Sequence, residues 1–171
     1  MPVPPPLPEL ATRIGTLLRE RGETVAVAES SAGGLVSAAL LAVPGASAYY
    51  LGGAVVYSRR AAKALLTLTK ADVQGMRGET EPFAHLMATR MRGSHRASWG
   101  LAETGAAGPS GSPYGDAPGH VCLAVVGAVS RTCTIETADA NRAANMDLFA
   151  RYLLVLFEDM LLSSQPSPGT S

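Results

Sequence analysis

The chain has 171 residues, 47% hydrophobic and 16% charged, which suits one globular domain with a sizeable core and excludes a disordered chain. Fourteen Lys and Arg offset fourteen Asp and Glu, and aromatic residues make up 5%, so neither a basic footprint for phosphates nor a base-stacking surface is present and no nucleic-acid partner is expected. The longest near-apolar run, Leu153 to Phe157, falls far short of the roughly 20 residues of a membrane span. The N-terminus lacks the basic-then-apolar pattern of a secretion signal, so a cytoplasmic protein without a membrane partner is expected.

Residues 1–8 read as a proline-rich, extended and mobile arm, and residues 9–162 as a single domain. From Pro8 to Arg21 the residues Leu10, Ile14, Leu17 and Leu18 recur at helical spacing, and Gly22 is a natural stop. Thr24 to Ala28 predicts a strand running into Glu29-Ser30-Ser31-Ala32-Gly33-Gly34, after which Leu35 to Leu41 predicts a helix ended by Pro44-Gly45. A second strand is expected at Gly53 to Tyr57 and a helix at Arg59 to Leu66. Asp72 to Gly78 reads as a turn, and Glu81 opens a helix to Arg92 that tolerates Pro82 in its first turn. Trp99 to Glu103 predicts a strand, followed by a loop from Gly105 to Gly119 with five glycines and three prolines.

Val121 to Val126 and Arg131 to Glu136 predict a hairpin. Its cysteines, Cys122 and Cys133, are read as two buried free thiols, although pairing across the hairpin is conceivable. His85, His95 and His120 are scattered and no CxxC spacing exists, so no metal site and no cofactor are expected. Asn141 or Asp139 can cap the last helix, which runs to Leu162 and is apolar nearly all round. Such a helix lies between layers or in a subunit interface, and a homo-oligomer is expected. Residues 163–171 read as a loose polar tail. Alternating strands and helices predict a three-layer α/β/α domain with a mostly parallel sheet and an antiparallel hairpin.

Two strand-to-loop junctions stand out. In Ala28 to Gly34 a strand meets a glycine turn and a helix start, an arrangement that can surround an anion with backbone N–H groups; an ordinary turn capped by Ser30 or Ser31 is the plainer alternative. In Thr104 to Ser112 glycines allow close approach of a ligand, and Thr104 sits at the carboxyl end of a strand. The spacing matches neither GxxxxGK[ST] nor GxGxxG. Between these junctions lie Gly45-Ala46-Ser47-Ala48-Tyr49-Tyr50 and Val55-Val56-Tyr57-Ser58. A serine beside a tyrosine and a cation is a workable nucleophile arrangement, though spacing alone does not bring Ser47 to Tyr57.

Together these segments resemble the CinA C-terminal family, which includes stand-alone nicotinamide mononucleotide deamidases. The family's Ala-Glu-Ser-Cys-Thr-Gly-Gly stands here as Ala28 to Gly34, with Ser31 and Ala32 replacing Cys and Thr. Its Gly-Ser-Ser-Ala with a later Val-Thr-Tyr-Ser looks like Gly45 to Ser58, and its Thr-Gly-Ile-Ala-Gly-Pro with a glycine-rich stretch ending Val-Gly-Thr-Val looks like Thr104 to Val121. The resemblance covers residues 9 to 162. It implies hydrolysis of a nucleotide carboxamide to a carboxylate and ammonia, with Ser47 as the catalytic serine and Tyr57 beside it. Substrate-binding positions carried over are Ser30, Gly33, Gly34, Thr104, Gly105, Gly108 and Arg142, the last as a clamp for phosphate or substrate.

The family's lysine five residues beyond the tyrosine falls on Ala62, and Lys63 lies one residue later, turned by roughly 100° on a helix. Lys63 is the candidate for its proton-transfer role. Arg59 and Arg60 could supply charge but cannot accept a proton. The larger relatives' additional N-terminal domain, and its activity, are expected to be absent. Two alternatives stay open at this point: a nucleotide-binding regulatory homologue without the chemistry, and an enzyme acting on a different small amide or nucleotide.

Overall fold

The computed structural model describes residues 2–164. The chain forms, in order, α1 (Leu7–Arg21), β1 (Val25–Glu29), α2 (Leu35–Leu41), β2 (Tyr50–Val55), α3 (Arg59–Leu66), α4 (Glu81–His95), β3 (Trp99–Ala106), β4 (His120–Val126), β5 (Ser130–Glu136) and α5 (Arg142–Ser163). The five strands lie in the order β2-β1-β3-β4-β5. β1 is parallel to both β2 and β3, whereas β4 is antiparallel to β3 and β5. Four strands therefore run the same way, and the expected α/β/α architecture with one antiparallel hairpin is the observed one.

The two faces of the sheet pack differently because alternate residues of each strand differ in size. Val25, Val27, Leu101, Val121, Leu123 and Val125 join Leu10, Ile14, Leu18, Phe149, Leu153 and Phe157 from α1 and α5 in one core. Trp99 completes it, edge-on to Phe157, with its indole N–H donated to the buried Glu23 carboxylate at 2.7 Å. On the other face Ala26, Ala28, Ala102 and Ala124 meet Ala84, Met87, Ala88 and Met91 of α4. Small side chains on both surfaces allow close approach. At Gly100 a Cβ would lie 2.1 Å from the Ala88 carbonyl oxygen.

The apolar α5 is accounted for within the chain. It packs against α1, α2, β3 and β4, with Leu153, Leu154, Phe157 and Leu161 fully buried. Asn141, not Asp139, caps it by accepting the Ala144 N–H, while Asp139 Oδ1 accepts the Asn141 N–H. At the other end of the sequence, helix α1 begins at Leu7, so Pro8 lies inside it. Pro4, expected in a loose arm, is buried, and its carbonyl accepts from Arg151 Nη1 at 3.3 Å. The expected loose tail lies outside the described residues beyond Ser164, which is itself buried.

Two further boundaries move. The second strand runs from Tyr50 to Val55 rather than Gly53 to Tyr57, because β1 pairs from Val25 to Glu29 and its register begins opposite Tyr50. Gly105 and Ala106 extend β3 instead of opening the loop, because they pair with Val121 and His120. In the hairpin Leu123, not Cys122, stands opposite Cys133. That offset of one residue sends the two sulfurs to opposite faces; both cysteines are free, Cys122 buried and Cys133 only partly so.

Gly100→Ala is expected to cost about 1–3 kcal/mol through overpacking of β3 against α4. A urea titration should show a lower midpoint with an unchanged slope.

Candidate functional site

The order β2-β1-β3 places a topological switch between β1 and β3, since the chain leaves β1 toward β2 and returns on its other side. Open α/β sheets bind ligands at the carboxyl ends of strands beside such a switch. Here that position holds a groove of about 380 Å³ lined by Ser31, Tyr57, Glu79, Arg142 and residues 105–113.

Arg142, the first residue of α5, forms one wall. Its Nη1 donates to the Gly108 carbonyl at 2.7 Å and its Nη2 to the Tyr57 hydroxyl at 3.0 Å. Gly108 (φ 107°) brings the loop so close to Ala140 that a Cβ would lie 2.6 Å from its carbonyl oxygen. That approach sets the loop against the start of α5. Tyr57 is 65% exposed, which leaves its ring and hydroxyl open to a ligand.

Behind Ser31, two buried carboxylates hold the turn from β1 into α2. Glu29, at the end of β1, accepts the N–H groups of Gly34, Val36 and Ser37 at 2.9–3.1 Å. Glu103, on β3, accepts the N–H groups of Ser30 and Ala32 at 2.5 and 2.8 Å and the Ser31 hydroxyl at 2.6 Å. The anion expected from a ligand at 28–34 is thus supplied by the chain itself. Gly33 and Gly34 take positive φ values of 66° and 100° to turn the backbone around Glu29, and neither lines the groove. Ser30 is half-buried outside the lining, with its N–H committed to Glu103. Burial raises the Glu103 pKa to about 7 despite its three donors, with Glu29 a smaller contribution in the same direction.

The remaining expected residues divide clearly. Gly105 and Gly108 line the groove, whereas Thr104 is buried within β3 and outside the lining. Lys63 is exposed on α3 and outside the lining, while Ala62 turns inward against α4. Ser47 stands in a short 3-10 turn, Ala46–Ala48, immediately before β2. β2 is parallel to β1, and its six residues span about 17 Å at a rise of roughly 3.3 Å each. Ser47 therefore sits at the amino end of β2, opposite the carboxyl end from which Tyr57 follows, and is not part of the groove lining of its own chain.

Several groups at the site were not anticipated. Asp116 accepts from both Arg77 Nη atoms at 2.6 and 3.0 Å and from Ser112 Oγ at 2.5 Å. Hydrogen bonding from Arg77 holds its carboxyl well below the usual range, and the network pins residues 112–116. Tyr114 lies under Arg77 and accepts from Arg59. His120 is hydrogen-bonded through Nδ1 to Glu136 and through Nε2 to the Glu79 carbonyl. Glu79 lines the groove with φ 50°, and its Oε2 is buried without a hydrogen-bond partner. Burial first, then Asp116, raises its pKa. For Glu103 the available signal was one carboxylate in an otherwise apolar central strand; the other contacts are non-local and left no mark in the spacing. Among the described residues no cluster of His, Cys, Asp and Glu could hold a metal ion, and no helix is long and apolar enough to cross a membrane.

The fold and groove define a three-layer α/β protein with a ligand-sized crevice at its strand switch, and comparison with known sequences gives its family. The sequence model of the CinA C-terminal domain matches residues 7–161, and the chain belongs to that family. A CinA-like protein of Synechococcus sp. (strain CC9902) is 42% identical over 118 residues, 69% of this chain but 28% of the relative. A CinA-like protein of Sulfurihydrogenibium sp. (strain YO3AOP1) is 40% identical over 103 residues, 60% of this chain and 26% of that one. These matches thus span little more than a quarter of each curated relative. Among solved structures, the competence damage-inducible protein A of Klebsiella pneumoniae subsp. pneumoniae MGH 78578 superposes with a TM-score of 0.88 at 25% identity, covering 94% of this chain and all of the other. The competence/damage inducible protein of Agrobacterium tumefaciens gives 0.84 at 28% identity, covering 94% and 99%.

The Glu103 carboxyl titrates near 4.5 when unfolded and near 7 in the fold. Below pH 4.5 both states are protonated; between the two values the fold retains a proton that the unfolded chain releases. Stability is therefore fully present below pH 4.5 and falls by about 3 kcal/mol as pH rises to 7. Urea unfolding at pH 4.5, 6 and 8 should show this decline in the parent protein and its loss in Glu103→Gln.

Proposed function

We propose that the chain is an amidohydrolase that converts nicotinamide mononucleotide to nicotinate mononucleotide and ammonia. The observation that carries this reading is the groove at the strand switch, where Arg142 and Tyr57 face a glycine-rich loop that follows the central strand β3. An arginine fork is suited to the phosphate of a nucleotide, and Gly105 and Gly108 leave the backbone accessible beside it. A mononucleotide is of a size that such a groove can hold. Amide hydrolysis further requires a nucleophile and a proton carrier for the departing amine.

In this reading Tyr57 is the residue of the family's catalytic set that stands in the groove. Ser47 can act there only from a second copy of the chain, so the homo-oligomer expected from the sequence becomes a requirement for its participation. Lys63, exposed on α3, lies outside the groove lining. The alternative of a ligand-binding homologue without turnover shares the same groove and the same Arg142 clamp.

Purified protein incubated with nicotinamide mononucleotide should release ammonia and nicotinate mononucleotide in equal amounts. No ammonia above the buffer blank from folded protein would overturn the activity. Arg142→Ala removes a charge-assisted clamp worth about 1.5–3 kcal/mol, or roughly 10- to 100-fold in kcat/KM. Calorimetric titration with nicotinate mononucleotide checks the binding share of that loss.

A further inference from the structure

Ser31 and Glu103 form a serine–carboxylate pair at the groove that the function above does not use. Ser31 Oγ lies 2.6 Å from Glu103 Oε2 and donates its proton to it. Ser31 is only 4% exposed, yet it belongs to the groove lining with Tyr57 and Arg142. Glu103 is held from behind by the N–H groups of Ser30 and Ala32 on Oε1. A nucleophile within hydrogen-bond reach of a base, with the base itself oriented by further groups, is the geometric signature of covalent catalysis.

We propose that Ser31 is the nucleophile of the groove and Glu103 its general base, so that a single chain carries the pair needed to open a carboxamide through a seryl ester. The inference rests on the amidohydrolase reading for its substrate, but its geometry is independent of that substrate. In the first step Ser31 Oγ forms a bond to the carboxamide carbon while its proton passes to Glu103. The carbon–nitrogen bond then breaks, Glu103 returns the proton to the departing nitrogen, and ammonia leaves. In the second step water adds to the ester carbon and gives its proton to Glu103. The bond to Ser31 breaks, the serine recovers the proton, and the acid product ionises to a carboxylate.

A carboxylate that titrates near neutrality can both take and release this proton, as burial at Glu103 permits. The reach of the site also favours Ser31 over Ser47. Ser31 shares the groove with Arg142 within one chain, whereas Ser47 stands beyond the amino end of β2.

The test is reaction of the full chain with a fluorophosphonate probe, followed by peptide mass spectrometry. The expected adduct is on Ser31, absent in Ser31→Ala and reduced at least tenfold in Glu103→Gln, with circular dichroism confirming that each variant is folded. Ser31→Cys keeps a nucleophile at the position and should take an iodoacetamide adduct that Cys122 and Cys133 do not. An adduct on Ser47, or none on Ser31, overturns the proposal. If nicotinamide mononucleotide is turned over, Ser31→Ala should lower kcat at least 1000-fold with little change in KM. Undiminished turnover in that variant removes Ser31 while the activity stands. Labelling of Ser31 without turnover of nicotinamide mononucleotide keeps the pair and overturns the substrate.

Discussion

Two buried carboxylates organise the functional end of this molecule. Glu29 and Glu103 lie on adjacent parallel strands, and between them they accept five backbone N–H groups and one hydroxyl from residues 30–37. An ionised carboxylate out of water is costly unless donors surround it, and here the turn supplies the donors. The same bonds that make the carboxylates tolerable fix the path of the chain from β1 into α2. Glu103 pins Ser31 at the groove, while Glu29 satisfies the open N-terminus of α2.

The rest of the site is built against that pinned turn. The α5 helix is fixed by its apolar packing between the sheet, α1 and α2, and its first residue, Arg142, is thereby delivered to the groove. The glycine-rich loop closes the far side, held by Arg142 at Gly108 and by the Arg77–Asp116 pair near its tip. Tyr57 enters from the strand-to-helix connection after β2. Four separate segments thus converge on one crevice because the sheet places their ends together.

Much of the fold was legible because its causes are local. Helical spacing of Leu10, Ile14, Leu17 and Leu18 with Gly22 behind them located α1, and Gly22 does adopt the left-handed conformation expected of a stop. The bounds of α2 and α3 followed from apolar runs and their flanking turn residues. Strand ends were less legible. The pairing of β2 with β1 begins at Tyr50, and that register depends on the partner strand rather than on residues 50–57 themselves. The same is true of Gly105 and Ala106, which read as loop and pair as strand.

Residue types and local spacing were enough to establish a three-layer α/β/α domain, a cap at Asn141 or Asp139, and the prominence of the junctions at 28–34 and 104–112. They also carried the family resemblance. What they left undetermined was which residues meet. Tertiary structure separated Ser47 from Tyr57 by the length of β2, turned Lys63 outward and Ala62 inward, and filled the turn at 30–34 with Glu29 and Glu103 instead of a ligand. It also joined Ser31 to a carboxylate 72 residues away. The physical reason is that local spacing governs hydrogen bonds within a turn or helix, whereas meetings across the sheet depend on strand order and register, which no single segment encodes.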